Sequence, residues 1–275
     1  MVDTLETVPD SAPAWLRGMI TQMPRTADSF LASSPERDAY GLMRIATDIR
    51  AGSLIDLFTP AARPQAARPV LKDLEQAARE RDCRSLVWSV ADSPRSAAME
   101  PVLHSLGWDQ GCHLRTFHMD LARVAQAPWV TAQPRSGECE IVPWMDLGAG
   151  ERNELKAARW YPASLSPFPQ EPYIEPRCSL ALRYRGEVAG WSVSTQHGPN
   201  QAYAAVIFVR EDLQARGVGA ALISDTLRRA ASAGLESLVF EVEPQRAAML
   251  RFADRRLRPY LIEETNIYRT WKMLS

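Results

Sequence analysis

From residue 138 onward, apolar positions fall into short runs, and each run ends at a turn signal. Residues 138–145 begin as a strand, and 151–160 read as a short helix. Residues 178–184 and 187–196 are two strands joined by Arg185 and Gly186, a hairpin signal. After the turn cluster His197-Gly198-Pro199-Asn200, residues 202–210 form a continuous apolar strand. Residues 218–233 place Val218, Leu222, Ile223, Leu227 and Ala230 near helical spacing, and Gly234 stands where a helix ends. The pattern then predicts a strand over 235–242, a helix over 246–257 and a last strand over 266–274. Alternating elements of this kind imply an α/β fold with a mixed sheet.

The first half is less regular but follows a similar order. Strands are expected at 40–49 and 53–58, a helix at 70–81, a strand at 85–90, a helix at 97–106 and a strand at 113–120. Leu106-Gly107-Trp108 closes the second helix. Residues 121–137 carry Ala, Gln, Pro, Ser and Gly and read as a linker. This is the signature of a tandem duplication, with copies at 1–125 and 138–275. The first copy lacks a full opening strand and helix, and residues 1–35 are too irregular to place.

Between 161 and 176 the periodicity breaks. Five prolines in sixteen residues exclude both a helix and a central strand. A long loop in a compact domain is often functional. Trp160, Tyr161, Phe168 and Tyr173 flank or lie within it, and they either wall an acceptor pocket or anchor the loop.

Charge and cysteine content narrow the function classes. The formal net charge is -1, which offers no basic footprint for nucleic acid. Cys83, Cys112, Cys139 and Cys178 are scattered, so neither a metal site nor a disulfide framework is expected. His104, His113, His118 and His197 show no ligand spacing. Residues 1–10 are acidic and polar, unlike an export signal, and no apolar run is long enough to span a bilayer. The expectation is a cytoplasmic protein with no membrane partner, its oligomeric state open.

One motif points to specific chemistry. The apolar strand 202–210 leads into Gln214-Ala215-Arg216-Gly217-Val218-Gly219-Ala220, and an amphipathic helix follows. A pyrophosphate needs donors that converge on its oxygens. Backbone N–H groups at a helix N-terminus supply them, and the helix dipole favours the negative charge. Glycine serves where a Cβ would block the phosphate, and Arg216 can add a charge-assisted contact.

This stretch, with its flanks, resembles the acetyl-CoA motif of the GNAT superfamily of N-acyltransferases, Q/R-x-x-G-x-G/A. The resemblance covers about half of the chain. It implies an α/β fold with a mixed, mostly antiparallel sheet flanked by helices, here in two tandem copies, and acetyl-CoA as co-substrate. It implies that the backbone of Ile207, Phe208 and Val209 pairs with the pantetheine arm. The pyrophosphate falls on Gln214, Ala215, Arg216, Gly217, Val218, Gly219 and Ala220, and Gln245 takes the place of an asparagine that touches the cofactor. The acceptor expected is the amine of a small molecule.

Catalytic candidates follow from what amide formation requires. A base or water chain must take a proton from the amine. The carbonyl oxygen needs a donor as it gains charge. Glu241 and Glu243 share a face near the end of strand 235–242 and are candidates for the base, or else face solvent or pair with an arginine of the next helix. Many members of the superfamily place a tyrosine as acid on the last helix. Phe252 stands at that position here, and the family's later Gly-Phe pair is replaced by Arg256-Leu257. Tyr260 is the nearby substitute, or packs with its hydroxyl at the surface. Phe252 also motivates a second reading, a non-catalytic acyl-CoA sensor. A third is an acyl-CoA-processing enzyme of another reaction type on the same fold.

The first copy lacks the motif. In its equivalent turn, 59–69, Ala66 and Arg68 occupy the glycine places and Pro69 removes a donor. That copy is expected not to bind CoA in the family's way. Arg63, Arg68 and Arg95 attract an anion there or form a solvated face.

Overall fold

The structure is a computed structural model of the chain and describes residues 2–4, 29–34, 36, 38–46, 50–60, 62–131, 138–214 and 216–274. In chain order the first strands are β1 (Val2–Thr4), β2 (Ser29–Ser33), β3 (Tyr40–Ala46) and β4 (Ala51–Phe58). Helix α1 (Ala67–Arg79), β5 (Ser85–Ala91), α2 (Pro94–Ser105) and β6 (Cys112–Asp120) follow. Two short helices, α3 (Leu121–Val124) and α4 (Pro128–Thr131), lead to β7 (Cys139–Pro143) and α5 (Ala149–Ala157). Then come β8 (Leu180–Tyr184), β9 (Glu187–Gln196), β10 (Gln201–Val209), α6 (Val218–Ser232), β11 (Ser237–Val242), α7 (Ala247–Phe252) and β12 (Leu261–Met273).

The chain divides into two compact units. Unit 1 comprises Met1–Leu114 and Thr265–Ser275, and unit 2 comprises Arg115–Glu264. Unit 1 takes its last strand from the far end of the chain, whereas unit 2 is one continuous stretch that opens on β6, a strand expected to close the first copy. In unit 1, β1 to β5 neighbour one another in sequence order and the end of β12 pairs antiparallel with β5, Tyr268 opposite Val90. In unit 2, β6 pairs antiparallel with β11, Phe117 opposite Phe240, and the order continues β10, β9, β8, β7. Each unit is a mixed, mostly antiparallel sheet: β4 pairs parallel with β5, and β10 parallel with β11.

In unit 1, α1 buries Val70, Leu71, Leu74, Ala77 and Ala78, a stripe at helical spacing that covers the sheet. Trp88 and Tyr268 meet edge to face at 6.1 Å. The last strand is also held by charge. Lys272 Nζ lies 2.7 Å from the buried Glu75 carboxylate of α1, which accepts from Trp108 Nε1 at 3.1 Å as well.

In unit 2, period-two alternation sorts the strand residues onto two faces. Leu238, Phe240 and Val242 of β11 and Phe117 of β6 pack with Leu227 and Ala230 of α6. Trp191, Val193, Val206 and Phe208 lie with α5 and the proline-rich loop on the opposite face. Arg185 (φ 52) and Gly186 (φ 87) make the β8–β9 turn in the left-handed region, as the hairpin signal requires.

Several sequence expectations shift. Strands β1 and β2 occupy a region left unassigned, where a short run (Phe30, Leu31, Ala32) is buried without a longer pattern. The helix expected at 246–257 is α7 followed by a π-helical turn, Ala253–Leu257, and a 3-10 turn, Arg258–Tyr260. Pro259 ends it, since proline lacks the donor a helix needs. β12 begins five residues before the expected 266. The proline-rich loop contains two 3-10 turns, Ala163–Leu165 and Phe168–Tyr173. Residues 47–49 of the expected first strand and 132–137 of the expected linker lie outside the described residues.

Candidate active site

Strand β10 positions the site because it has different neighbours along its length. Its parallel ladder with β11 runs from Gln201 opposite Ser237 to Tyr203 opposite Val239. On the other side it stays paired with β9 to the end, Ile207 opposite Ser192, Phe208 opposite Trp191 and Val209 opposite Gly190. A bulge between Ala204 and Val206 turns the strand, as bulges do beside active sites. Beyond Tyr203, therefore, Ile207, Phe208 and Val209 stand on a length of β10 that is anchored to β9.

At the end of β10, a 3-10 turn (Glu211–Leu213) with Leu213 buried sets the chain for α6. Gln214 Nε2 donates to the Val209 carbonyl at 2.7 Å, so its side chain ties the strand to the turn. Gly217 caps α6 at φ 80, a conformation glycine adopts without steric cost. The first intrahelical bond is Ala221 N–H to the Gly217 carbonyl, 3.0 Å, which leaves the Val218, Gly219 and Ala220 amides at the free end of the helix. A Cβ on Gly217 would meet nothing within 4 Å, and one on Gly219 would meet only Val209 Cγ2 at 3.8 Å. Neither glycine is demanded by protein packing. The free amides and the open space beside Gly217 fit a pyrophosphate. Ala215 lies outside the described residues.

Cationic side chains surround this turn. Arg210 Nε lies 2.7 Å from Asp212, and Arg185 Nη2 lies 2.7 Å from Glu138. The Arg210 hydrogen bond holds the Asp212 carboxyl below its usual range, and Arg216 adds a weaker pull. Glu138 is lowered by its hydrogen bonds to Arg185 and Tyr184, with Arg216 again contributing. Arg216 itself is exposed beside Gly217.

The two carboxylate candidates differ in setting. Glu241 accepts a hydrogen bond from Tyr203 Oη at 2.8 Å. Glu243 is exposed, 3.5 Å from Arg246, and Gln245 is exposed in the turn that follows. Tyr260 is half-buried against the cluster that contains Leu238 and Phe240, on the face of β11 opposite Glu241. Phe252 packs edge to face on Trp129 at 5.5 Å.

Tyr203 was not among the sequence candidates. It interrupts an otherwise apolar strand, which is the only signal it leaves in the sequence; its meeting with Glu241 depends on strand register. By alternation it shares its face with Thr195 and, across the bulge, with Val206 and Phe208. The same face carries an aromatic row. Trp160 lies 5.7 Å from both Trp191 and Phe208, and Tyr161 lies 4.8 Å from Trp191. Tyr161 Oη donates to the Leu155 carbonyl and Trp191 Nε1 to the Leu165 carbonyl, so the row also fastens the loop. Trp160 and Tyr173 keep more than a third of their surface exposed. Opposite Glu241 on β6, the hydroxyl of Thr116 is buried without a hydrogen-bond partner among the described residues.

Around the equivalent turn of unit 1 the arginines are engaged. Arg63 pairs with Asp38 at 2.9 Å, Arg68 donates to Ser105 at 2.6 Å, and Arg95 pairs with Asp56 at 3.0 Å. The residue at the start of α1, Ala67, is fully buried.

This fold and this turn match a known class. Residues 149–257 match the Acetyltransferase (GNAT) family. No curated protein matches the chain. Among solved structures, a GCN5-related N-acetyltransferase from Sphaerobacter thermophilus is similar over 98% of this chain and 88% of its own, with 13% identity and TM-score 0.57. A tandem GNAT protein from the clavulanic acid biosynthesis pathway is similar over 98% and 91%, with 14% identity and TM-score 0.55. A GCN5-related N-acetyltransferase from Kribbella flavida is similar over 95% and 93%, with 14% identity and TM-score 0.51. Residues 149–257 thus match a GNAT acetyltransferase domain. The chain as a whole shares the fold of a tandem GNAT protein.

Proposed function

We propose that unit 2 transfers an acetyl or other short acyl group from acyl-CoA to the amine of a small molecule, and that the first copy carries no CoA site. The observation that carries this reading is the start of α6: free amides, a left-handed Gly217, and a Gly219 whose missing Cβ nothing in the protein requires. The pyrophosphate is taken by the amides of Val218, Gly219 and Ala220, with Arg216 adding charge. Gln214 then acts on the cofactor through the Val209 carbonyl it holds. The pantetheine arm lies along Ile207, Phe208 and Val209, as a peptide adds to a strand. When bound, acetyl-CoA supplies the activated acyl carbon, and this chain's residues orient it and move the proton.

The acceptor enters on the face that holds Trp160, Tyr161 and Tyr173, which suits an amine on an apolar or aromatic body. Glu241 serves as base and Glu243 lines the approach. Gln245 and Tyr260 stand as the sequence candidates for a cofactor contact and an acid. Copies at 1–125 and 138–275 describe the duplication, and the paired arginines and buried Ala67 of unit 1 support a first copy without CoA.

Thiol release from acetyl-CoA in the presence of an amine panel tests the reading. Amine-dependent release supports transfer. Tight acetyl-CoA binding with no release against any amine favours the sensor. Tyr260→Phe with full turnover removes that residue as the acid.

A further inference from the structure

Where β10 parts from β11, two polar side chains meet on the aromatic face. Tyr203 is the last residue of the parallel ladder, opposite Val239. Glu241 follows two residues later on β11, so it sits at the mouth of the split on the same side. The Tyr203 hydroxyl donates a hydrogen bond to Glu241 Oε2 at 2.8 Å, and a phenol oxygen can accept a hydrogen bond as well as donate one. The His197 ring stands 5.9 Å from the Tyr203 ring. Gln201 and His118 lie next along this face, with Gln201 Nε2 3.0 Å from His118 Nε2 and 2.9 Å from Ser237 Oγ. Both partners of the dyad are half-buried, and the aromatic row of Phe208, Trp191 and Trp160 continues the face.

We infer that Tyr203 is a catalytic residue that relays the amine's proton to Glu241. The inference rests on the acyl-transfer reading and goes beyond it by replacing a direct or water-borne path to Glu241 with a side-chain path. The amine nitrogen bonds to the acyl carbon. Its proton passes to Tyr203 Oη as the tyrosine's own proton passes to Glu241. The C–S bond breaks with its electron pair on sulfur, and the thiolate takes one proton back along the same relay. Both side chains are regenerated, and amine plus thioester become amide plus thiol. A tyrosine that returns the proton to sulfur also removes the need for an acid at the position where Phe252 stands.

The test compares Tyr203→Phe, Glu241→Gln and the double variant in the full chain. Calorimetry with acetyl-CoA comes first, and unchanged affinity shows that the split and the turn persist. The relay predicts that Tyr203→Phe lowers kcat about 10²-fold or more with little change in KM. The double variant is expected to be no slower than the worse single one, because the two groups act as a unit. A solvent isotope effect on kcat in the unaltered enzyme should shrink in both single variants, which a structural role would not produce. Independently of turnover, infrared difference spectra of the ligand-free protein should show a carboxylate band that shifts in Tyr203→Phe and vanishes in Glu241→Gln. Full kcat and an unchanged isotope effect in Tyr203→Phe would overturn the relay while leaving acyl transfer standing. Absence of amine-dependent thiol release from the unaltered enzyme would overturn both.

Discussion

Replacing Gly219 by alanine and by glutamate separates a glycine kept for a ligand from one kept for the fold. Gly219 lies in the first turn of α6, and its helical backbone suits any L-residue. An added Cβ meets only Val209 Cγ2 at 3.8 Å, ordinary van der Waals contact. Alanine in a helix is favoured over glycine by about 0.5–1 kcal/mol, so the ligand-free protein should gain up to that amount. The family motif Q/R-x-x-G-x-G/A accepts alanine here, so the methyl group should leave acetyl-CoA affinity within about tenfold, or about 1.4 kcal/mol, whereas the carboxylate of Gly219→Glu should abolish binding. Two neighbours give different signatures. Gly217→Ala places an L-residue at φ 80 and should cost about 1–2 kcal/mol of stability. Gly190→Ala drives a Cβ to 2.6 Å from the Phe208 carbonyl oxygen and should disturb β10 itself, lowering stability and affinity together. Urea denaturation without ligand and calorimetry with acetyl-CoA read the two quantities separately. Destabilisation by Gly219→Ala, or unchanged affinity in Gly219→Glu, would contradict a glycine kept for the ligand.

Two further outcomes are expected. Lys272→Met leaves the buried Glu75 carboxylate to Trp108 and the more distant Arg79, 3.6 Å away, which should cost up to about 3 kcal/mol; near-ultraviolet dichroism should show the core of unit 1 melting earlier, and Glu75→Leu with Lys272→Met should recover much of the loss. Glu175 is buried and paired with Arg177 at 2.7 Å, and hydrogen bonding to that arginine holds its carboxyl below the ordinary 4.5. A depressed folded value means that the stabilisation is fully present above the unfolded value and is lost as pH falls through the folded one. Glu175→Gln should therefore destabilise the protein at pH 7 and narrow the difference on acidification, and equal destabilisation at both pH values would contradict the assignment.

The sequence made the cofactor turn legible because its determinants are local. The glycine spacing, the apolar strand before it and the stripe of α6 all lie within thirty-one residues, 202–232. The hairpin at Arg185 and Gly186 was legible for the same reason. The exchange of β6 and β12 was not, since neither strand's composition records which β-strand it will neighbour. Tyr203 was hidden likewise: its distance from Glu241 depends on a parallel register that places it opposite Val239. Strand β2 escaped because five residues carry too short a pattern. The role of Gln214 was visible as motif membership, whereas its bond to the Val209 carbonyl needed coordinates.

The central claim is that the chain binds acetyl-CoA at one place, the start of α6. Titration calorimetry of the full chain with acetyl-CoA tests it most directly, with Gly217→Glu as the companion because a carboxylate there would stand where the phosphates sit. One equivalent should bind per chain, and the variant should bind none. Two equivalents, no binding, or an unchanged affinity in Gly217→Glu would contradict it.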